Sequence, residues 1–462
     1  MDFQNNTSQE SFEQAKNLFL LGLEHYEKGS YEEAEHFLVL SSRILPNRTS
    51  TLTNLSAVLI KLEKFEKAHE IIVKAITLNP TDETLYLNQG NLFAKQKKDW
   101  PMALASYEKA IELKPTHAEA YNNRGSALKE LKRLNEALQS YEKAIDIKSD
   151  YASAHLNKSH VLLLIGDLKE GFLEYEWRWK DKEGSEISGK REFIQPLWLG
   201  NESLVGKTIL LWSEQGLGDS IQFCRYAKLV KALGARVLID VPKPLSTLLT
   251  GLEGVDFLIE KGKPLPEFDF HCPMMSLPLA FKTDFHSIPS SSPYLKSNVE
   301  KVEEWRRRLG GKSKPRIGLV WSGSTTHTND QARSLKIAEL IKYLPPDFEF
   351  VSLQKEVREV DQQPLHSSSI KHFGEKIIDF SDTAALCELM DLVISVDTSV
   401  AHVAGALGKV TWILLPYIPD WRWLLDTDVS PWYESVKLYR KSDTGDYSQV
   451  LDRVAKDLRD FF

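Results

Sequence analysis

Two short runs in the second half of the chain combine glycine, acidic and hydroxyl residues where an apolar strand gives way to a helix. The first is Leu211-Trp-Ser-Glu-Gln-Gly-Leu-Gly-Asp219. Gly216 and Gly218 let a backbone or a substrate approach closely. Asp219 then either projects its carboxylate into a cleft or simply caps the helix that starts there, a role Asp fills well. The second run is Ile394-Ser-Val-Asp-Thr-Ser-Val-Ala-His402. A helix beginning at Thr398 and Ser399 presents unpaired N–H groups and the positive end of its dipole, which together suit a diphosphate. Asp397 sits where a cap or a ribose contact would be. His402 lies one turn into the helix, where a lone histidine is ordinarily core. A third segment, Ser322-Gly-Ser-Thr-Thr-His-Thr-Asn-Asp-Gln-Ala-Arg333-Ser334, contributes the small residues Ser322 and Gly323 and one cation. Arg333 is suited to neutralising a leaving phosphate, or is a solvated arginine on a polar loop.

The elements around these runs alternate. Strands are expected at 207–212, 236–241, 256–259 and 268–271, with a helix over 219–233. After Pro315 come strands at 316–321, 349–353, 392–396 and 410–415, with helices over 335–343, 382–390 and 399–407. Alternating strands and helices predict parallel sheets covered on both faces, here two Rossmann-like domains facing a cleft. Ligands bind such sheets at the carboxyl ends of the strands, where the three runs fall.

The first part of the chain has a different period. Gly-Ser-Tyr-Glu-Glu-Ala (29–34), Glu-Lys-Phe-Glu-Lys-Ala (63–68) and Arg-Leu-Asn-Glu-Ala (133–137) set units beginning at 15, 49, 83, 118 and 152, with steps of 34, 34, 35 and 34. Small residues recur where two helices must meet: Gly22, Ser56, Gly90, Gly125 and Ser159, then Ala34, Ala68, Ala103 and Ala137. Ala75, Ala110 and Ala144 repeat on the second helix, and Pro46, Pro80 and Pro115 close their units. This resembles the tetratricopeptide repeat, a helix-turn-helix unit that stacks into a superhelix. The extra residue of the third unit falls in the turn 97–101. The fifth unit departs from the pattern, with Gly171 at the alanine position and an aromatic end, Tyr175-Glu-Trp-Arg-Trp179, and reads as a cap docking on the next domain.

One column of the repeats is constant: Asn54, Asn88, Asn123 and Asn157. An amide carries donors and an acceptor and suits the backbone of an extended peptide. The column resembles the asparagine ladder of O-GlcNAc transferases, which implies protein substrates held along the groove. The alternative is that asparagine is favoured there in such repeats generally. Leu20 breaks the column in the first unit.

Gly216-Leu-Gly-Asp219 and Asp397-Thr-Ser-Val-Ala-His402 resemble motifs of family 9 glycosyltransferases, the heptosyltransferases. Glu214-Gln-Gly-Leu-Gly-Asp219, Ser352-Leu-Gln354 and Pro419-Asp-Trp-Arg-Trp423 look like bacterial tetratricopeptide proteins with a heptosyltransferase-like domain. The resemblance implies a GT-B fold and transfer of a sugar from a nucleotide-sugar donor to a hydroxyl. Asp219 would be the general base. Gly216, Gly218, Ser322, Gly323, Arg333, Gln354, Asp397, Thr398, Ser399 and His402 would bind the donor, with no metal and no cofactor beyond the donor itself. Trp412, Trp421, Trp423 and Trp432 would pack, or stack on a sugar. The end of the chain, 447–462, reads as a helix of the kind that crosses back to the first domain in GT-B enzymes. The Asp426-Thr-Asp428 triplet superficially resembles a metal-binding DxD, but it follows an aromatic run instead of ending a strand.

The domains expected are thus an N-terminal tail (1–14), a helical repeat superhelix of about five units (15–181), a linker (182–205), an acceptor-side Rossmann-like domain (206–300), a donor-side one (301–440) and a C-terminal helix (441–462). With 42% hydrophobic and 27% charged residues the composition is that of an ordinary globular protein. A net charge of -7 without basic blocks argues against a nucleic-acid partner. The polar start and the lack of long apolar runs predict a cytoplasmic protein without a transmembrane segment. Cys224, Cys272 and Cys387 are expected as buried free thiols.

Overall fold

The computed structural model describes residues 2–96, 98–181, 191–291, 293–326, 329–442 and 445–462. The chain forms two compact units, 1–161 and 162–462.

The first unit is a run of paired helices: α1 (Asp2–Glu27), α2 (Tyr31–Ile44), α3 (Thr49–Lys61), α4 (Phe65–Leu78), α5 (Glu83–Gln96), α6 (Trp100–Leu113), α7 (Ala118–Glu130), α8 (Leu134–Ile147) and α9 (Ala152–Leu164), the last crossing the division. The recurrent small residues are there because large ones face them. A methyl added to Gly90 would fall 2.4 Å from the Tyr107 ring, one on Gly125 2.5 Å from Tyr141, and one on Gly22 2.7 Å from Leu38. Ala34, Ala68, Ala103 and Ala137 are fully buried at the same contacts. The turns between paired helices repeat as faithfully. Gly29, Glu63, Lys98, Lys132 and Gly166 all adopt positive φ, between 50° and 89°. Reversing the chain this tightly requires a left-handed residue, and the period holds even where glycine is absent.

Two expectations are revised here. The polar start is the first part of α1 rather than a tail: the helix begins at Asp2, and its first turns carry no apolar stripe to mark them as helical in sequence. The division also falls within the fifth repeat. Its second helix, α10 (Leu168–Tyr175), belongs to the second unit, where Phe172 meets Trp421 edge to face at 5.6 Å and Arg178 reaches Glu214 at 3.3 Å. The residue inserted in the third repeat falls at 97–101, of which 97 lies outside the described residues.

The second unit holds two sheets, both wholly parallel. The first contains β1 (Thr208–Trp212), β2 (Arg236–Val241), β3 (Phe257–Glu260) and β4 (Phe270–Pro273) in the order β3-β2-β1-β4. The second contains β5 (Arg316–Val320), β6 (Glu349–Ser352), β7 (Lys371–His372), β8 (Leu392–Val396), β9 (Thr411–Leu415) and β10 (Val436–Arg440) in the order β10-β9-β8-β5-β6-β7. Counted within the sheet, the latter is the doubly wound order 3-2-1-4-5-6, with its reversal between β5 and β8. β5, β8 and β9 are buried throughout and are mostly apolar, interrupted by Arg316, Ser395 and Thr411, as strands covered on both faces are. β7 and β10 were not anticipated: β7 is two exposed residues, and β10 alternates Lys437 with apolar neighbours at the sheet edge.

The segment after the repeats packs where it is described: Trp198 is buried and its backbone N–H bonds the His271 carbonyl at 2.8 Å. Most of the expected linker, 182–190, lies outside the described residues. The last helix stays with the second sheet instead of crossing back. Its residues Val450, Leu451, Val454 and Leu458 join the cluster of Ile317, Leu319, Ile394 and Leu414. Cys224, Cys272 and Cys387 are buried free thiols. Among the described residues, no helix is long and apolar enough to cross a membrane.

Candidate functional site

The strand reversal leaves a crevice at the carboxyl ends of β5 and β8, and the first sheet supplies the opposite wall. The resulting cleft measures about 690 Å³. Its lining includes Gly216, Gly218 and Asp219 after β1, Ser322, Gly323 and Arg333 after β5, Gln354 after β6, and Asp397, Thr398, Ser399 and His402 after β8. The eleven residues assigned a catalytic or donor-binding role in the second half of the sequence therefore line one space.

On the first wall, helix α11 (Leu217–Phe223) starts at the glycine turn. The Gly216 N–H donates to Asp219 Oδ2 at 2.8 Å, so the carboxylate does cap its helix. Its other oxygen forms an ion pair with Arg422 of the opposite wall. Asp219 is thus both cap and cleft residue, the two readings the sequence left open. A carboxylate offers about four acceptor positions, so these two contacts orient it without by themselves exhausting it.

Arg422 is buried. Its Nε donates to Gln222 Oε1 at 2.8 Å and its Nη1 to Asp420 Oδ1 at 2.8 Å, and its guanidinium lies 4.3 Å from the Trp421 ring centroid. Burial opposes its charge, but Asp420 and Asp219 outweigh this and hold its pKa above the usual arginine range. The sequence displayed Arg422 only inside Pro419-Asp-Trp-Arg-Trp423 and gave it no role.

On the second wall, helix α12 (Ser399–Ala406) begins after Thr398, whose side chain does not cap it. Thr398, Ser399 and Val400 at this end line the cleft, and the first N–H groups of α12 receive no side-chain acceptor from their own cap. Arg333 donates from Nη1 to the Asp397 carbonyl at 2.8 Å. Its position explains Gly323: a methyl there would fall 2.4 Å from Arg333 Nη2. Arg333 is accordingly a held residue rather than a solvated one. Arg358, unmarked in the sequence, braces the same loop through Asp330 at 2.7 Å and the Gly323 carbonyl at 3.0 Å. Two residues of that loop, 327 and 328, lie outside the described residues. Gln354 donates to the Ser322 carbonyl at 2.9 Å and hydroxyl at 3.1 Å.

His402 is buried, stacked on Trp423 with centroids 5.4 Å apart, and its Nδ1 lies 2.9 Å from the Tyr433 hydroxyl. Burial, reinforced by the charge of Arg422, pushes its pKa down to about 3, so the ring is neutral at ordinary pH. The Asp397 carboxyl is shifted upward, first by burial and then by the Asp420 carboxylate, with Arg333 opposing. Trp412, Trp421, Trp423 and Trp432 are all buried, so their use is packing and not stacking on a sugar.

The asparagine column of the first unit is engaged in hydrogen bonds within the repeats. Asn88 is buried and donates to the Thr53 carbonyl and Ser56 hydroxyl of the preceding repeat, both at 3.0 Å. Asn123 donates to Asn91 at 3.0 Å, Asn157 to Asn122 at 2.9 Å, and Asn54 to the Ser50 carbonyl of its own helix at 2.9 Å. From the third repeat onward, the column's amide donors stitch each unit to the one before. Asn91 and Asn122, outside the column, complete the network.

Tetratricopeptide-repeat models match residues 49–82 and 118–151, and a further repeat model matches 95–132, so the first unit is built of tetratricopeptide repeats, modules of protein–protein interaction. Protein FlbA of Caulobacter vibrioides is 26% identical over 452 residues, covering 90% of this chain and 74% of its own length. Among solved structures, TTC0263, a tetratricopeptide protein of Thermus thermophilus, is 18% identical with a TM-score of 0.34, covering 37% of this chain and 92% of its own. A MamA fragment from Desulfovibrio magneticus RS-1 is 22% identical with a TM-score of 0.30, covering 36% of this chain and 92% of its own.

Proposed function

We propose that the chain is a metal-independent glycosyltransferase of the GT-B type, moving a sugar from a nucleotide-sugar donor to a hydroxyl of a protein held by the repeats. The observation that carries this reading is the meeting of all eleven candidate residues in one cleft between two parallel sheets. The start of α12 receives the donor diphosphate through its N–H groups and dipole. Arg333 adds a fixed cation beside it. As the acceptor oxygen bonds the anomeric carbon and the bond to the diphosphate breaks, Asp219 takes the hydroxyl proton and the α12 end and Arg333 bear the departing charge. The neutral His402 packs beneath this site without adding charge.

A second reading has its own support. The capping and ion pairing of Asp219 also suit a cleft that has lost turnover and serves as a protein-binding scaffold. Incubating the full chain with ADP-, GDP- and UDP-sugars separates the two. Nucleotide release that disappears in Asp219→Ala supports the enzyme. An inert wild type that captures a peptide tightly supports the scaffold, and labelling of a glycan but no protein assigns the repeats to assembly of a complex.

A further inference from the structure

The groups Arg422 holds come from both walls of the cleft. Asp219 and Gln222 lie on α11 of the first wall, while Asp420 precedes Arg422 on the loop after β9. Each of its three guanidinium nitrogens has a different partner, and the plane is further fixed on Trp421. A planar fork with five donors in set directions can hold three acceptors at once, which a lysine ammonium on a flexible stem cannot. The charge balance needs it as well. Asp219, Glu356, Asp379, Asp397 and Asp420 bring five carboxylates to the cleft lining, against the four cations Arg333, Lys355, Arg358 and Arg422, and Arg358 is committed to Asp330. Removing Arg422 would take away the cation that Asp219 and Asp420 share, and with it the ion pair that orients Asp219 from the second wall.

We propose that Arg422 is a positioning residue for sugar transfer: it spans the cleft, fixes the rotamer of the Asp219 carboxylate, and sets the distance between the acceptor side and the donor side. This rests on the glycosyltransferase reading above. It adds that the orientation of the base is imposed from the opposite wall, so that the two halves must be docked for the base to be aimed. All three guanidinium nitrogens of Arg422 are engaged by protein groups, so Arg422 is assigned no bond to the donor. Its loss therefore acts on the chemical step and leaves donor affinity in place, because the α12 end and Arg333 are untouched.

The test uses the full chain and three variants, Arg422→Lys, Arg422→Gln and Gln222→Met, each checked for a cooperative melt. Binding is read by isothermal titration with ADP, GDP and UDP, and transfer with the corresponding nucleotide sugars. For Arg422→Gln, kcat should fall about 100-fold, the scale of a misplaced catalytic group, with the nucleotide dissociation constant within about threefold of wild type. Arg422→Lys should recover little, since charge without the fork is not enough. Gln222→Met, which removes one arm and keeps the ion pair, should lose about tenfold in kcat and serves as the measure if Arg422→Gln does not fold. An active wild type matched by a fully active Arg422→Gln, or by a Gln222→Met of unchanged kcat where Arg422→Gln does not fold, overturns this inference alone, as does a loss that lies wholly in nucleotide affinity. A wild type inert toward every donor overturns the glycosyltransferase reading and this inference with it.

Discussion

Gly218 on α11 lies directly against the imidazole of His402 on α12, so closely that a methyl built on Gly218 would sit 2.9 Å from His402 Cδ2. The two sequence motifs, read separately as strand-to-helix turns, touch at this point. The histidine cannot easily give way, because it is stacked on Trp423 and bonded to Tyr433. Gly218→Ala should therefore destabilise the second unit by about 1–3 kcal/mol, as overpacking of a filled interior does. A calorimetric melt of the full chain checks it, and an unchanged midpoint would mean that the two motifs are not in contact.

The same histidine gives a signed pH dependence. Its folded pKa of about 3 lies below the unfolded value near 6.5, so the unfolded chain binds the extra proton between these pH values. Its contribution is complete above pH 6.5 and is lost as pH falls toward 3. The whole effect is of order a few kcal/mol. Because other groups titrate in this range, the measurement is the difference between wild type and His402→Gln. The wild type should lose stability more steeply between pH 6.5 and 4, and parallel curves would show that His402 is not buried as described.

Much of this arrangement was legible in the chain. A 34-residue period is fixed by close helix contacts, so Gly90 against Tyr107 and Gly125 against Tyr141 write themselves into the sequence as recurring small residues. The carboxyl ends of strands likewise announce themselves as apolar runs followed by glycine, serine and aspartate. What the sequence hides is direction and distance. Arg422 and Asp219 are 203 positions apart, and nothing local says that an arginine in an aromatic run will cross a cleft. Polar helix starts such as residues 2–14 carry no apolar stripe and so read as tails. The destination of the last helix depends on Val450, Val454 and Leu458 finding the second sheet, a choice that its own periodicity does not specify.

The asparagine column shows the same limit, and it is testable. A regular amide on the first helix of each repeat can face a groove or the preceding repeat. Asn88 does the latter, bonding the Thr53 carbonyl and the Ser56 hydroxyl. Asn88→Ala should cost about 1–3 kcal/mol, the penalty for stranding buried partners. Urea unfolding followed by circular dichroism measures this. A variant of unchanged stability that no longer captures peptide would reverse the assignment, from stitching to ligand binding.

The central claim is that the cleft transfers a sugar to a polypeptide held by the repeats. Its most direct measurement is intact-protein mass spectrometry of the proteins that co-purify with the full chain, before and after addition of a nucleotide-sugar panel, for wild type and Asp219→Asn. Wild type should add a discrete sugar mass to at least one bound protein, with Asp219→Asn slower by at least about 100-fold, the contribution expected of a general base. Bound proteins of unchanged mass with every donor, or equal labelling by wild type and Asp219→Asn, would contradict the claim.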